Sequence, residues 1–468
     1  MKKKALFTEK PIVKSLLILG FPLILSQLVN VMYNIVDRIF IGNMAVVGKD
    51  ALAGVGITFP VIVVVSAFGA LFGLGGAPLA GIKLGEDNDD EAKNIMMNSF
   101  LMLLIIGALL TVILLLFGTQ ILYLFGMTDE LLKYGLDYLN IYALGTVFVM
   151  IALGLSAYIS TQGQTKVAAV IVFIGALLNI ILDPILIYGL DMGVKGAAIA
   201  TIFSQGVSAL LVVIFLMSKY SSLKLSFKGF KINHKIILSI MALGVSPFIM
   251  QSTEALIQIV FNSQIVRYGG VNYIVYLNIM TIMLSVMQFI VLPVHGLSQG
   301  ASPLISYNFG SGNFKRVKKA YKALTVMSII FTVSFYFIIF LLPSQIASIF
   351  NSDPLILEKA PRIMRLFFLG MAVFGAQLAT QTTFMALGQA VVSLTMAVLR
   401  KIIILIPLAY LLPLFMGIEG IFFSELIADF LATMITVSTF MLLINRIIDK
   451  RKLELSSGHT LWQREASN

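Results

Sequence analysis

Long apolar runs separated by short polar connections fill the chain, and the run lengths decide its class. A helix needs about 20 apolar residues to cross a hydrocarbon core, and only a helix or a closed barrel satisfies its own backbone there. Twelve runs reach that length, near 15–37, 51–80, 95–125, 138–162, 167–189, 196–218, 236–264, 272–298, 320–344, 363–387, 390–414 and 418–444. The pattern predicts an all-α integral membrane protein of twelve transmembrane helices.

The polar positions between the runs carry the topology. Lys219, Lys224, Lys228, Lys231 and Lys235 stand in one connection without an acid, and Lys315, Arg316, Lys318, Lys319 and Lys322 crowd another. Excess Lys and Arg mark cytoplasmic loops. Counting crossings puts the lysine-rich start and the tail with Arg446, Lys450, Arg451 and Lys452 on that same side, so both termini are expected in the cytoplasm of a multi-pass plasma-membrane protein. The run from Ser15 to Val36 is too long for a signal peptide and has no evident cleavage site, so it is read as the first helix.

The pattern also repeats, at an offset of about 225 residues. Pro22 matches Pro247, each following a Leu-Gly pair. Gly75, Ala77, Pro78 and Gly85 fall beside Gly300, Ser302, Pro303 and Gly310, and Gly163-Gln164 beside Gly388-Gln389. One deletion later Met192-Gly-Val-Lys-Gly meets Met416-Gly-Ile-Glu-Gly. An even number of helices per repeat means that both halves enter from the same face, so two six-helix bundles are expected to be related by a parallel pseudo-two-fold with a cavity between them. The expected divisions are 1–218 for the N-lobe, 219–235 for a basic cytoplasmic linker, 236–445 for the C-lobe and 446–468 for a cytoplasmic tail.

Composition narrows the functions. Of 468 residues 59% are hydrophobic and 12% charged, so lipid is the main solvent and no segment reads as a separate soluble domain. The net charge of +11 sits in connections and ends, which argues for topology and against nucleic acid. The chain has no cysteine, its three histidines are scattered at 234, 295 and 459, and no Walker or nucleophile-elbow spacing occurs. An enzyme, a metal cofactor and ATP hydrolysis are therefore not expected; an ion gradient or the substrate's own gradient has to drive any transport. The 34 Phe and 23 Met suit a cavity of adaptable shape, although most of them should face lipid or neighbouring helices.

Ionisable side chains inside such helices are costly and usually face a cavity, a partner or a pathway. With about 1.5 Å of rise per residue, Asp37, Asn179, Asp183 and Thr201 fall at one depth towards the outer face. Two carboxylates, an amide and a hydroxyl there can bind a hard cation or hold a proton. The alternative is that Asp37 caps a helix end and Asp183, followed by Pro184, marks a local break. Glu254 reads either as a cavity-facing cation or proton site or as a structural hydrogen-bonding group. Arg400 and Asp429 are expected to form a structural ion pair, which Glu425, one turn away, can join; Lys401 is expected to snorkel or face water.

At this point the residues resemble a known family. Asn179-Ile-Ile-Leu-Asp183-Pro184 running on to Met192-Gly-Val-Lys-Gly-Ala-Ala-Ile-Ala-Thr201 is similar to the fifth-to-sixth helix signature of multidrug and toxic compound extrusion (MATE) transporters. Val36-Asp37 with Phe40-Ile-Gly42, Ala51-Leu-Ala-Gly-Val-Gly, Gly296-Leu-Ser-Gln-Gly and Tyr307-Asn-Phe-Gly310 resemble it too, so the likeness spans essentially the whole chain. The resemblance implies a monomeric secondary antiporter that exports cationic or amphipathic small molecules in exchange for H⁺ or Na⁺ by alternating access, with no cofactor and no partner beyond substrate and membrane lipids. It implies an N-lobe ion site at Asp37, Asn179, Asp183 and Thr201, and bending or re-registering of the first helix near Pro22. NorM-like members carry a C-lobe site on a helix-seven acid, matched by Glu254, and on a helix-ten acid, where this chain has Gln377; with Glu425 these form a possible C-lobe polar site. The Gln tilts the likeness towards the DinF-like bacterial branch. A flippase for a lipid-linked precursor, from the same superfamily, is the competing reading. It calls for basic groups facing the cavity; none is expected deep in a first-half helix, while Arg400 and Lys401 keep it open.

Overall fold

The computed structural model describes residues 2–44, 47–228, 230–351 and 353–457. The end of the expected tail, with His459, lies outside them. Among the described residues all regular structure is helical, and twelve helices are long and apolar enough to cross a membrane.

A short helix, α1 (Lys2–Thr8), precedes the N-lobe of α2 (Ile12–Gly42), α3 (Gly48–Gly85), α4 (Asp89–Leu124), α5 (Asp129–Thr161), α6 (Thr165–Pro184, continued by a π-helical segment Ile185–Gly189) and α7 (Gly193–Met217). The C-lobe has α8 (His234–Tyr268), α9 (Tyr273–Gly310), α10 (Phe314–Leu341), a short α11 (Pro343–Phe350), α12 (Pro354–Ala386), α13 (Ala390–Val398), a π-helical segment Leu399–Leu405, α14 (Ile406–Met416) and α15 (Ile418–Ser457). Most helices overrun the apolar runs by a turn or more, because polar residues at both ends still satisfy helical backbone. Hence the supposed tail after 445 is α15 continued to Ser457. The connection 219–235 is pinned to the N-lobe: Gln162 Oε1 accepts from Ser221 Oγ at 2.9 Å and from the amides of Ser222 and Leu223, and Asn98 Oδ1 accepts from the Asn233 amide. Pro22 sits in an uninterrupted helix, where Thr165 Oγ1 donates at 3.5 Å to the Ile18 carbonyl that the proline cannot bond.

The same helix pairings recur in both halves. In the N-lobe α5 packs on α3, α4 and α7 and α2 on α6; in the C-lobe α12 packs on α9, α10 and α15 and α8 on α13. Between lobes the seams are reciprocal, α2 on α9 and α3 on α8. Small residues let the backbones meet there. A Cβ on Gly300 would lie 2.5 Å from the Gly20 Cα, and one on Gly75 would lie 2.8 Å from the Gly244 Cα. Gly75 and Gly300 are partners in the sequence repeat, so this pair marks the two seams. Gly163 and Gly388, another repeated pair, end α5 and α12 with φ of +76° and +71°, a backbone that favours glycine.

These approaches fall in the halves of the helices nearest the termini. There α1 adds a bridge: Phe7 stacks on Tyr307 at 5.0 Å, and Ser15 Oγ donates to the Leu6 carbonyl at 2.8 Å. Arg451 of α15 reaches Glu86 at the end of α3 and the Gly310 carbonyl. A third hydrophobic cluster, containing Leu6, Phe7, Leu19, Ile82, Leu304 and Phe440, fills that end, separate from a core in each lobe.

Candidate functional site

A cavity of about 470 Å³ lies between the lobes, lined from α2, α3, α5, α6 and α7 on one side and α8, α9 and α12 on the other. Its polar wall is made of amides and hydroxyls: Gln27, Gln205, Gln251, Gln299 and Gln381, with Asn30 and several serines. His295 is the one titratable imidazole among its lining residues, which include no phenylalanine. The phenylalanines thus serve lipid contact and packing, while Tyr33, Met250 and Met385 belong to the wall. Composition could not reveal the glutamines: each sits beside a serine or threonine in a largely apolar span, and only the fold points them inward.

Asn179 and Thr201 belong to the same wall, and the two N-lobe carboxylates lie behind them. Asn179 and Asp183 share a face of α6 because they are one turn apart, and Asn179 Nδ2 donates to Asp183 Oδ1 at 3.0 Å. Asp183 is fully buried and Asp37 is 9% exposed. Their side chains are near enough for their charges to act on each other. The α2 end is held to α6 by the π segment, whose Tyr188 hydroxyl donates to the Phe40 carbonyl at 2.5 Å. Tyr138 of α5, buried beside Asp37, brings its hydroxyl to 3.5 Å from Thr201 Oγ1. The structure therefore gathers Asp37, Asn179, Asp183 and Thr201, and adds Tyr138. Sequence reading missed that tyrosine; its signal was a hydroxyl at the depth of Thr201 in the neighbouring helix.

Neither carboxylate has an ion pair among the described residues; Arg38, next along the chain from Asp37, lies over the Phe59 ring at 4.7 Å. Asp37 Oδ1, Asp183 Oδ2 and Asn179 Oδ1 have no hydrogen-bond partner among the described residues. A buried acceptor left in this state costs about 1–3 kcal/mol, and more when charged. Protons, or a hard cation with oxygen ligands, would satisfy all three.

The C-lobe arranges its charges differently. Arg400 Nε donates to Asp429 Oδ1 at 2.8 Å and Nη2 to Glu425 Oε1 at 2.8 Å, with the guanidinium over the Phe374 ring at 4.5 Å. Glu425 and Asp429 face it from successive turns of α15. Lys401 corrects the expectation that it would snorkel: it is buried, bonded to the Met250 carbonyl at 2.6 Å and to Glu254. A contact between α8 and the π segment of the eleventh span lay beyond any inspection of neighbouring turns. Gln377 is buried with Oε1 unpartnered, and no hydrogen bond joins it to Glu254 or Glu425 among the described residues. Gln381, one turn on, lines the cavity and donates to Ser246 Oγ at 3.2 Å.

The first half also holds a buried base that the run lengths hid. Helix α3 continues past 80 and carries Lys83, 1% exposed and paired with Glu86 at 3.1 Å and Glu91 at 3.0 Å. It lies near the termini-bearing end, away from the cavity lining.

Comparison with known proteins agrees with this architecture. A family model described as MatE matches twice, over residues 22–185 and 247–411, the same spacing as the sequence repeat. A multidrug export protein, MepA, from Staphylococcus haemolyticus is 29% identical over 96% of this chain and 97% of its own. MepA from Staphylococcus aureus strain MRSA252 is 27% identical over 94% and 96%. Among solved structures, MATE in a bent conformation superposes with a TM-score of 0.89 at 21% identity, covering 97% of this chain and 99% of that one. A MOP superfamily transporter from Pyrococcus furiosus, described as having a binding pocket of reversed polarity, gives 0.89 at 21%, covering 96% and 99%.

Proposed function

The chain belongs to the MatE family of MATE transporters, and from that premise we propose that it is a secondary antiporter of the bacterial plasma membrane, exporting cationic or amphipathic small molecules in exchange for H⁺ or Na⁺. One observation carries the reading: two buried carboxylates, neither in an ion pair among the described residues, stand directly behind the wall of a polar, inter-lobe cavity. The MepA relatives, named as multidrug exporters, support the choice of cargo.

In the proposed cycle the termini-bearing face is cytoplasmic and its seam is closed, so the cavity is served from outside. An ion from outside settles among Asp37, Asn179, Asp183 and Thr201. Neutralising the two carboxylates removes their mutual repulsion and their attraction for a cation in the cavity, so substrate leaves as the ion arrives. Differential affinity of ion and substrate for the two states supplies the switch. Helix α2 spans both ends of the coupling, with Asp37 near one end and the Gly20 seam near the other; its movement about Pro22 would open the cytoplasmic side.

The test is efflux of a fluorescent cation from reconstituted vesicles under separate H⁺ and Na⁺ gradients. Efflux with at least one gradient is expected. Silence under both, together with movement of a lipid-linked pyrophosphate, would replace this reading with the flippase.

A further inference from the structure

A second concavity, of about 600 Å³, lies between the α1–α2 connection and the first turns of α10 and shares no lining residue with the central cavity. Four cationic side chains line it, Lys10, Lys315, Arg316 and Lys319, against one carboxylate, Glu9. The cluster is made by folding, since its members come from segments about 300 residues apart along the chain. Arg316 builds it: Nε donates to the Phe7 carbonyl and Nη2 to the Lys10 carbonyl, both at 2.6 Å, which draws the α1–α2 connection over α10. The guanidinium is thereby committed to backbone. Lys10, Lys315 and Lys319 are exposed and have no ion pair among the described residues. Lys318, between the latter two, points elsewhere, to Asn445 Oδ1 at 2.8 Å.

The place matters as much as the charge. Ile12 opens the membrane-crossing α2 and Phe314 opens α10, so the concavity sits at the level where hydrocarbon gives way to headgroups. Its wall continues from the ammonium groups onto Ile12, Val13 and Ala323, and Val13 is 52% exposed. Like charges lining one concavity repel one another, and a basic pocket at a membrane rim attracts anionic lipid. An inorganic anion would satisfy the ammonium groups but leave the apolar wall uncovered.

We propose that this concavity is a headgroup site for one anionic phospholipid, whose phosphodiester is held by Lys10, Lys315 and Lys319 and whose acyl chains lie along Ile12 and Val13. Nothing in the transport cycle is needed for it. Because Arg316 holds the connection against α10 while Phe7 stacks on Tyr307, the bound lipid steadies the end where the lobes meet.

The full chain in mild detergent, mixed with phosphatidylglycerol or phosphatidylcholine and examined by native mass spectrometry, provides the test. Wild type should retain one more phosphatidylglycerol than phosphatidylcholine. The variant Lys10→Gln/Lys315→Gln/Lys319→Gln should lose that adduct, and Lys10→Arg/Lys315→Arg/Lys319→Arg should keep it. Phosphatidylglycerol should raise the thermal midpoint of wild type and of the arginine variant alone, and inorganic phosphate should raise neither. Equal retention of the two lipids by wild type, equal retention of phosphatidylglycerol by wild type and the glutamine variant, or an equal rise with phosphate each overturns the proposal. If the triple glutamine variant does not fold, Lys319→Gln alone takes its place, and undiminished retention there overturns it equally.

Discussion

The two lobes share helix pairings but bury charge in opposite ways, and their fifth helices show where they part. In the N-lobe the fifth helix delivers Asn179 and Asp183 just before its π segment, and with Asp37 they make two carboxylates that have no ion pair among the described residues. In the C-lobe the π segment itself carries Arg400, which takes up the buried Asp429 and Glu425, and buried Lys401, which holds the more exposed Glu254. A paired buried charge is expensive to disturb, because removing one member strands the other. An unpaired carboxylate behind a polar wall can exchange a proton or an ion. On this contrast we propose that coupling belongs to the N-lobe and rigidity to the C-lobe.

The sharpest way to break that assignment is Asp37→Asn. Gradient-driven efflux should fall to the level of empty vesicles while the protein stays folded and monodisperse; undiminished efflux would remove the N-lobe from the mechanism. The next is Arg400→Met, which leaves Glu425 and Asp429 without their base and should cost about 3–5 kcal/mol of stability. A lowered thermal midpoint in detergent reads this out, and an equal drop in Asp37→Asn would erase the distinction between the lobes. Smaller effects sharpen the boundary. Lys401→Met frees Glu254 and should add a new dependence of transport on external pH; an unchanged profile would show that Glu254 plays no part in transport. Thr201→Ala removes one hydroxyl and about 1 kcal/mol of hydrogen bonding, or roughly a five-fold rise in the half-saturating ion concentration. No change there would place Thr201 outside the ion site.

Much of the fold was legible because lipid imposes simple rules. A helix in hydrocarbon must be long, apolar and self-satisfied, so run length alone gave the twelve spans. The repeated glycines were legible as matches before their reason was visible: Gly75 and Gly300 are small because two backbones meet, and Gly163 and Gly388 because the turn needs positive φ. Helix ends were read short, since hydropathy stops reporting where polar residues begin although the helix does not. That is how Lys83 and the length of α15 escaped notice.

The candidate site was legible in part for a similar reason. Depth along a straight helix is a one-dimensional quantity, and it was enough to bring Asp37, Asn179, Asp183 and Thr201 together. Direction around a helix, and which helix stands opposite, are not contained in depth. Hence the five cavity glutamines, Tyr138 beside Asp37 and the Lys401–Glu254 contact were out of reach. The sequence by itself determined class, number of spans, repeat and the rare charges that lipid makes costly, because each follows from local composition against a uniform solvent. Tertiary structure alone decided which of those charges are paired, since pairing depends on the packing of helices that lie far apart along the chain.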